Sequence, residues 1–297
     1  WSANQRMVGG AGLAALGDGG YEDPASAAQI RDRLAELGAT PDNPATPADL
    51  LAIQLDDRAL WIERWQRLLL SVLDDANVAD STGRSELRGL INHWEGRAAV
   101  DSVSYRLVRG WREKVAELAL APYFAAPAQV YPGISYKDLA YEHALWALVT
   151  ERPDRPTPPG HDNWEGLLLA AADRLLEDLD QQDVRPEHAT WGGRNTVRIR
   201  HPLSAGLPGF LGRLLDLPAQ PLPGDSHMPR FQSTRAGASL RFVVAPGRED
   251  EGIFHMPAGQ SGHPLSPFRG AGHEAWVRGE PSPFLPGETL HTLTLQP

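Results

Sequence analysis

The chain has 297 residues, 41% hydrophobic and 22% charged, with 28 basic against 38 acidic side chains for a net charge of -10. That size and balance fit a globular protein of one or two domains and exclude a disordered chain. Basic residues are scattered among acidic ones, so no cationic stripe is available to track a nucleic-acid backbone, and the absence of cysteine rules out disulfides, thiolate metal sites and cysteine nucleophiles.

Helices are predicted first and strands late. Asp23-Pro24 ahead of residues 25–37, with Gly38 just beyond, puts proline and glycine where a helix start and stop favour them. Thr46-Pro47-Ala48-Asp49 has the pattern of a cap, and it opens a long predicted helix whose Leu50, Ile53, Leu60, Trp61, Trp65, Leu68, Leu69 and Val72 fall mostly on one face. The same three-and-four spacing predicts helices over residues 84–94, 102–120, 136–150 and 163–181. Residues 151–160 hold four prolines and one glycine, too many for an element, and read as an exposed loop. Period-two alternation over residues 196–200 and apolar runs at 240–245, 252–256 and 289–295 are the strand candidates. The fold class expected is α+β, with a mainly helical part over residues 1–190 and a β-rich part over 191–297. No run approaches the about 20 apolar residues that span a bilayer.

Most chemistry-bearing residue types have ordinary roles at these positions. Asp225-Ser226-His227 holds the three residue types of a hydrolytic triad, but consecutive side chains diverge and triad partners must converge in space. Ser261 sits in Gly-Gln-Ser-Gly with His263 following, which is not the pattern of a nucleophile elbow, so a backbone-shaping role is expected. The histidines include no His-Glu-x-x-His pair. Asp56-Asp57 and Asp74-Asp75 are adjacent and split between directions, and are expected on solvated helix surface. Trp61, Trp65, Trp94, Trp111 and Trp146 fall at apolar helical positions and are expected in the core.

Pro257-Ala258-Gly259-Gln260-Ser261-Gly262-His263-Pro264-Leu265-Ser266-Pro267 is too rich in proline and glycine for helix or central strand and is predicted as a shaped loop. With HEAWVRG and a terminal HTLTLQP after it, this stretch resembles the closing segment of the penicillin acylase (penicillin amidase) family, whose members carry a PGGQSG-type loop. Trp1-Ser2-Ala3-Asn4-Gln5-Arg6-Met7-Val8 is similar to the family's ANNR-like segment, and LINHWEG (90–96), WGGRNTVRIRHPLS (191–204) and PGDSHMPRFQ (223–232) resemble further family blocks in the family's order.

The resemblance implies an N-terminal-nucleophile αββα sandwich, here only partial, and an amide hydrolase whose attacking serine lies at the amino terminus of the large chain. It places Asn4 as the oxyanion-hole donor; successive residues of an extended segment face opposite sides, so Gln5 cannot share its direction, and Gln5 and Arg6 are expected to be structural. Because no Ser-Asn segment of the expected kind precedes Asn4, the chain is expected to be the later part of the large chain, completed by the upstream half and the small chain and inactive alone. The substrate implied is a small N-acyl compound, such as a β-lactam side-chain amide or an acyl-homoserine lactone, and the location is periplasmic or secreted. No cofactor is implied beyond a structural Ca2+, for which Asp18 is the nearest carboxylate. The arginine expected near Ser26 is replaced, so Arg31 or Arg33 would have to act for it. The alternative is a noncatalytic binding or scaffold protein that keeps the later half of the fold.

Overall fold

A computed structural model describes residues 1–17 and 20–295. The helices in chain order are α1 (Gly10–Leu16), α2 (Ala25–Leu37), α3 (Pro47–Gln54), α4 (Glu63–Val72), α5 (Asp75–Val78), α6 (Thr82–Asn92), α7 (Val103–Val130), α8 (Glu142–Glu151), α9 (Trp164–Gln181), α10 (Trp191–Arg194), α11 (Gly209–Leu215) and α12 (His273–Arg278). The strands are β1 (Thr196–Val197), paired with β2 (Gln220–Pro221), and β3 (Arg241–Val243), antiparallel to β4 (Ile253–His255). The fold is therefore α+β, dominated by helix. No helix among the described residues is long and apolar enough to cross a membrane.

The chain forms two compact units from interleaved segments. Unit 1 takes residues 1–32, 57–196 and 221–233, and unit 2 takes 33–56, 197–220 and 234–297. Unit 1 is a helical core built on α7 and α9. Side-chain caps start its long helices: the Tyr105 N–H donates to Ser102 Oγ at 3.2 Å, and the Gly166 N–H to Asn163 Oδ1 at 2.8 Å, each satisfying an amide that the first turn leaves unpaired. Leu69, Leu87, Ile91, Val108, Trp111, Leu145, Val149 and Leu168 are fully buried between the helices. Trp65 meets Trp111 and Trp146 edge-on with ring centroids 5.9 and 5.1 Å apart, the arrangement that ring quadrupoles favour. Trp65 and Trp111 are thus core as expected, while Trp61, Trp94 and Trp146 are half-buried against it.

One carboxylate is buried in this core with its donors. Glu142 accepts from Arg64 Nη2 at 2.6 Å, from Trp65 Nε1 at 2.9 Å and from the Arg112 guanidinium. Burial pushes its pKa up, but Arg112 and these hydrogen bonds outweigh it and hold the carboxyl below its ordinary value.

Unit 2 has a smaller core of Leu51, Ile53, Val243, Ile253 and Trp276. Thr46 and Asp49 form the expected capping box at the head of α3: the Asp49 N–H donates to Thr46 Oγ1 at 3.2 Å, and the Thr46 N–H to Asp49 Oδ2 at 2.9 Å. β3 and β4 pair Arg241 with His255, Phe242 with Phe254 and Val243 with Ile253. Arg241 Nη1 donates to the Trp276 carbonyl at 2.9 Å, with its guanidinium 5.3 Å from the Trp276 ring centroid.

Several expectations are corrected. The long helix predicted from Pro47 ends at Gln54, and α4 begins only at Glu63. Between them the Ala98 N–H donates to the Asp57 carbonyl at 2.9 Å and the Ala59 N–H to the Gly96 carbonyl at 2.8 Å, so the backbone trades helical bonds for a distant segment. Asp56 and Asp57 are consequently buried rather than on a solvated helix surface, and Asp57 pairs with Arg97 at 2.5 Å. Asp74 caps α5, accepting from the Asn77 N–H at 2.8 Å. α7 runs past Leu120 through Pro122 and Pro127 to Val130, since each proline removes only one helical donor. The stretch over 136–150 splits into a short 3₁₀ turn and α8. The alternating run at 196–200 gives only a two-residue strand, and residues 289–295 are exposed and form no strand.

Candidate active site

The segment around Asn4 is extended and exposed, and it departs from ordinary backbone at one residue. Asn4 has φ 63°, the left-handed region that asparagine enters more readily than most residues and that costs energy to hold. Its carbonyl accepts from the Glu22 N–H at 3.0 Å, which fixes the bend, and its side chain makes no hydrogen bond to another described residue. The Gln5 side chain braces the turn, accepting from the Ala3 N–H at 2.6 Å and reaching Met7 Sδ at 2.8 Å. A cavity of about 680 Å³ adjoins, lined by Arg6, Leu13, Tyr21, Glu22, Pro24 and Leu139. An exposed carboxamide on a bent, anchored backbone is chemically able to donate to an oxyanion.

The other residues singled out from sequence lie in different settings. Ser26 is half-buried in the first turn of α2. Arg31 pairs with Asp32 at 2.7 Å and Arg33 with Glu36 at 2.5 Å, so both guanidinium groups are engaged by nearby carboxylates. Asp18 lies outside the described residues, and no cluster of three or more His, Asp or Glu among the described residues is arranged to hold a metal ion.

The blocks at 191–196 and 223–228 interlock in unit 1. The Gly224 carbonyl accepts from Trp191 Nε1 at 2.9 Å and from Asn195 Nδ2 at 3.0 Å, and the Gly224 N–H donates to the Ala98 carbonyl at 2.9 Å. Only glycine suits position 224, where φ is +98° and a Cβ would sit 2.2 Å from the Arg230 carbonyl oxygen. This fixes Asp225 in the core. Its Oδ2 accepts from the Tyr105 hydroxyl at 2.7 Å and from Arg109 Nε at 2.8 Å, and its Oδ1 accepts from the Ser226 N–H at 2.7 Å and the Ser226 hydroxyl at 3.2 Å. Burial raises the Asp225 pKa, but Arg109 and then the Tyr105 hydrogen bond hold it below the usual carboxylate value. Burial, followed by the Asp225 charge, pushes the Tyr105 hydroxyl well up.

No hydrolytic triad forms at 225–227. Ser226 donates to Asp225, while His227 stacks on Trp61 with ring centroids 3.9 Å apart. Burial, then Arg109, lowers the His227 pKa. Tyr105 and Arg109 had not been singled out. Their signal was a polar pair one helical turn apart within an otherwise apolar helix face.

The loop at 257–267 belongs to unit 2 and is shaped by its own backbone. The Gly259 N–H donates to the Arg269 carbonyl at 2.8 Å, and a Cβ on Gly259 would fall 1.8 Å from the Phe268 carbonyl oxygen. His273 Nδ1 lies 2.7 Å from the Pro257 carbonyl. Ser261 Oγ accepts from the His263 N–H at 3.2 Å, a turn-forming contact.

A family model described as penicillin amidase matches residues 1–288. The chain is also 25% identical over 229 residues to penicillin acylase 2 proenzyme of Pseudomonas sp. (strain SE83), a match that covers 70% of this chain and 27% of that protein. The chain thus spans about a quarter of the length of that relative. With the matched family model extending from the Asn4 segment through the interlocked blocks and the glycine-built loop, the chain belongs to the penicillin amidase family.

Proposed function

We propose that this chain is the later part of an amide hydrolase that cleaves an N-acyl bond, with Asn4 stabilising the tetrahedral intermediate. The observation that carries this reading is the family match over residues 1–288. The exposed, unengaged Asn4 carboxamide on a left-handed backbone supports it.

The attacking hydroxyl belongs to an amino-terminal serine outside this chain, and the relative described as a proenzyme supports a processed enzyme of more than one chain. An α-amine titrates at about 7.7–8, so such a serine carries its own base, taking the hydroxyl proton directly or through water. Attack moves an electron pair onto the carbonyl oxygen. The Asn4 Nδ2–H donates to that oxygen without giving up a proton; collapse of the intermediate breaks the C–N bond, the amine leaving with the proton the α-amine had taken, and water activated by the same amine then hydrolyses the acyl-serine ester to the carboxylic acid and free serine. The two short sheets of this chain join a four-layer αββα sandwich completed by the rest of the large chain and the small chain. The substrate is a small N-acyl compound, the location is periplasmic or secreted, and a structural Ca2+ would belong to the complete enzyme, no ligand set for it being present among the described residues of this chain.

The test is Asn4→Ala in the complete protein, assayed by amine release from a panel of N-acyl amides. Turnover falls about 100- to 1000-fold, the usual cost of one oxyanion donor. The melting temperature stays within about 2 °C, since an exposed side chain contributes little to stability. An unaltered rate removes Asn4 from the site, and a parent protein that hydrolyses none of the panel favours a binding or scaffold role.

A further inference from the structure

A second cavity of about 550 Å³ lies in unit 1 between α7 and α9, and its lining is dominated by cations. Most of these are neutralised where they stand. Arg194 pairs with Glu113 at 2.6 Å, Arg109 with Glu113 at 2.7 Å and with Asp225 at 2.8 Å, and Lys114 with Asp178 at 2.5 Å. Arg112 is held by Glu142 and by the Tyr141 hydroxyl at 3.0 Å.

Arg106 is the exception. It is 8% exposed and lines the cavity, yet its guanidinium makes a single hydrogen bond, from Nη1 to the Thr190 carbonyl at 3.2 Å. No carboxylate among the described residues lies within ion-pair distance of it, and Arg194 repels it. Burial and then that repulsion push its pKa down from the ordinary value. A guanidinium so largely withdrawn from water without a counter-charge is uncommon. At Gly193 a Cβ would lie 3.4 Å from Arg106 Nη1, so the α10 turn packs directly against the guanidinium. Lys137 stands on the same cavity, exposed and without a carboxylate partner.

From this geometry we infer that the cavity binds a small oxyanion, a carboxylate- or phosphate-bearing molecule, seated on Arg106 with Lys137 at the rim. The planar fork of Arg106 offers two parallel N–H donors to such a group. The cavity is far larger than one phosphate, so the anionic group would be the head of a larger small molecule.

The experiment is calorimetric titration of the complete protein with inorganic phosphate and, separately, acetate, against sodium chloride of matched ionic strength. Saturable binding of either anion over chloride is expected, and the stronger of the two identifies the headgroup. Arg106→Met weakens that binding about 10- to 100-fold, the value of a charge-assisted hydrogen bond. Should Arg106→Met fold poorly, the exposed Lys137→Gln carries the test and weakens binding several-fold at low salt. Binding of neither anion, or an affinity unchanged in whichever variant folds, overturns the proposal.

Discussion

Replacing Asp225 by asparagine changes one atom type at nearly constant shape, and the geometry fixes what that costs. All four groups that face the carboxylate are donors: Tyr105 hydroxyl and Arg109 Nε on one oxygen, the Ser226 N–H and hydroxyl on the other. An amide has one oxygen, so in either flip its NH2 faces one N–H that cannot accept, Arg109 Nε or the Ser226 N–H, while the hydroxyl beside it can turn to accept; at least one hydrogen bond is lost together with the charge. If the NH2 faces Arg109, a buried guanidinium also loses half of its compensation, with Glu113 the remaining partner at 2.7 Å. Breaking a buried pair on one side costs about 3–5 kcal/mol, or roughly 2–4 °C of melting temperature for each kcal/mol.

The pH dependence supplies a second readout. The folded carboxyl titrates below its unfolded value near 3.8, so its stabilisation is present above that pH and lost as the pH falls through the folded value. Asp225→Asn therefore flattens the acid limb of the stability curve as well as lowering the plateau. Equilibrium urea denaturation of parent and variant, repeated at neutral pH and below about pH 4, measures both. A variant within about 1 kcal/mol of the parent at neutral pH would refute the reasoning, because neither flip of an asparagine satisfies both Arg109 Nε and the Ser226 N–H, and neither restores the charge.

Gly259→Ala places a methyl carbon 1.8 Å from the Phe268 carbonyl oxygen, so the loop must rearrange. Destabilisation of at least about 1–3 kcal/mol is expected, with faster proteolysis confined to residues 257–270, and an unchanged cleavage pattern would count against a rigid loop. For His227, lowered from 6.5 by burial and Arg109 and facing also Asp225, Asp23 and Arg112, the unfolded state takes up the proton first as pH falls. Stability is then full above about pH 6.5 and declines below it. His227→Phe keeps the ring stack on Trp61 and should shrink the difference in denaturation midpoint between about pH 7.5 and about pH 5.5; an equal difference in the variant shows that another group titrates.

What could be read from the residues was local. Proline and glycine placed α2 at its observed limits, and Thr46 with Asp49 announced the capping box. The helical spacing also marked Trp65 and Trp111 as core. What escaped was set by partners far along the chain. The break after Gln54 exists because Asp57 and Ala59 bond to residues 96–98, and periodicity carries no trace of such a pairing. The strand candidate over 289–295 is a segment that needs cover, yet Leu290 and Leu293 remain 82% and 84% exposed among the described residues. For the candidate site, the segment resembling a family block pointed to Asn4, but its left-handed backbone and the tie to Glu22 needed coordinates. The Asp225 environment was half legible: Arg106, Arg109 and Arg112 recur every third residue in a largely apolar helix, a warning of buried charge without a hint of what balances it.

Interleaving has a consequence for synthesis. Arg109 leaves the ribosome 116 positions ahead of Asp225, which at about 5–20 residues per second is a wait of roughly 6–23 s. Throughout that interval α7 carries a cation meant for the interior, with Glu113 as its one ready counter-ion, and the Tyr105 hydroxyl lacks an acceptor. The helical unit therefore cannot close its polar seam until residues 221–233 have emerged, and a nascent chain halted earlier has every long helix in hand but not the carboxylate that α7 awaits.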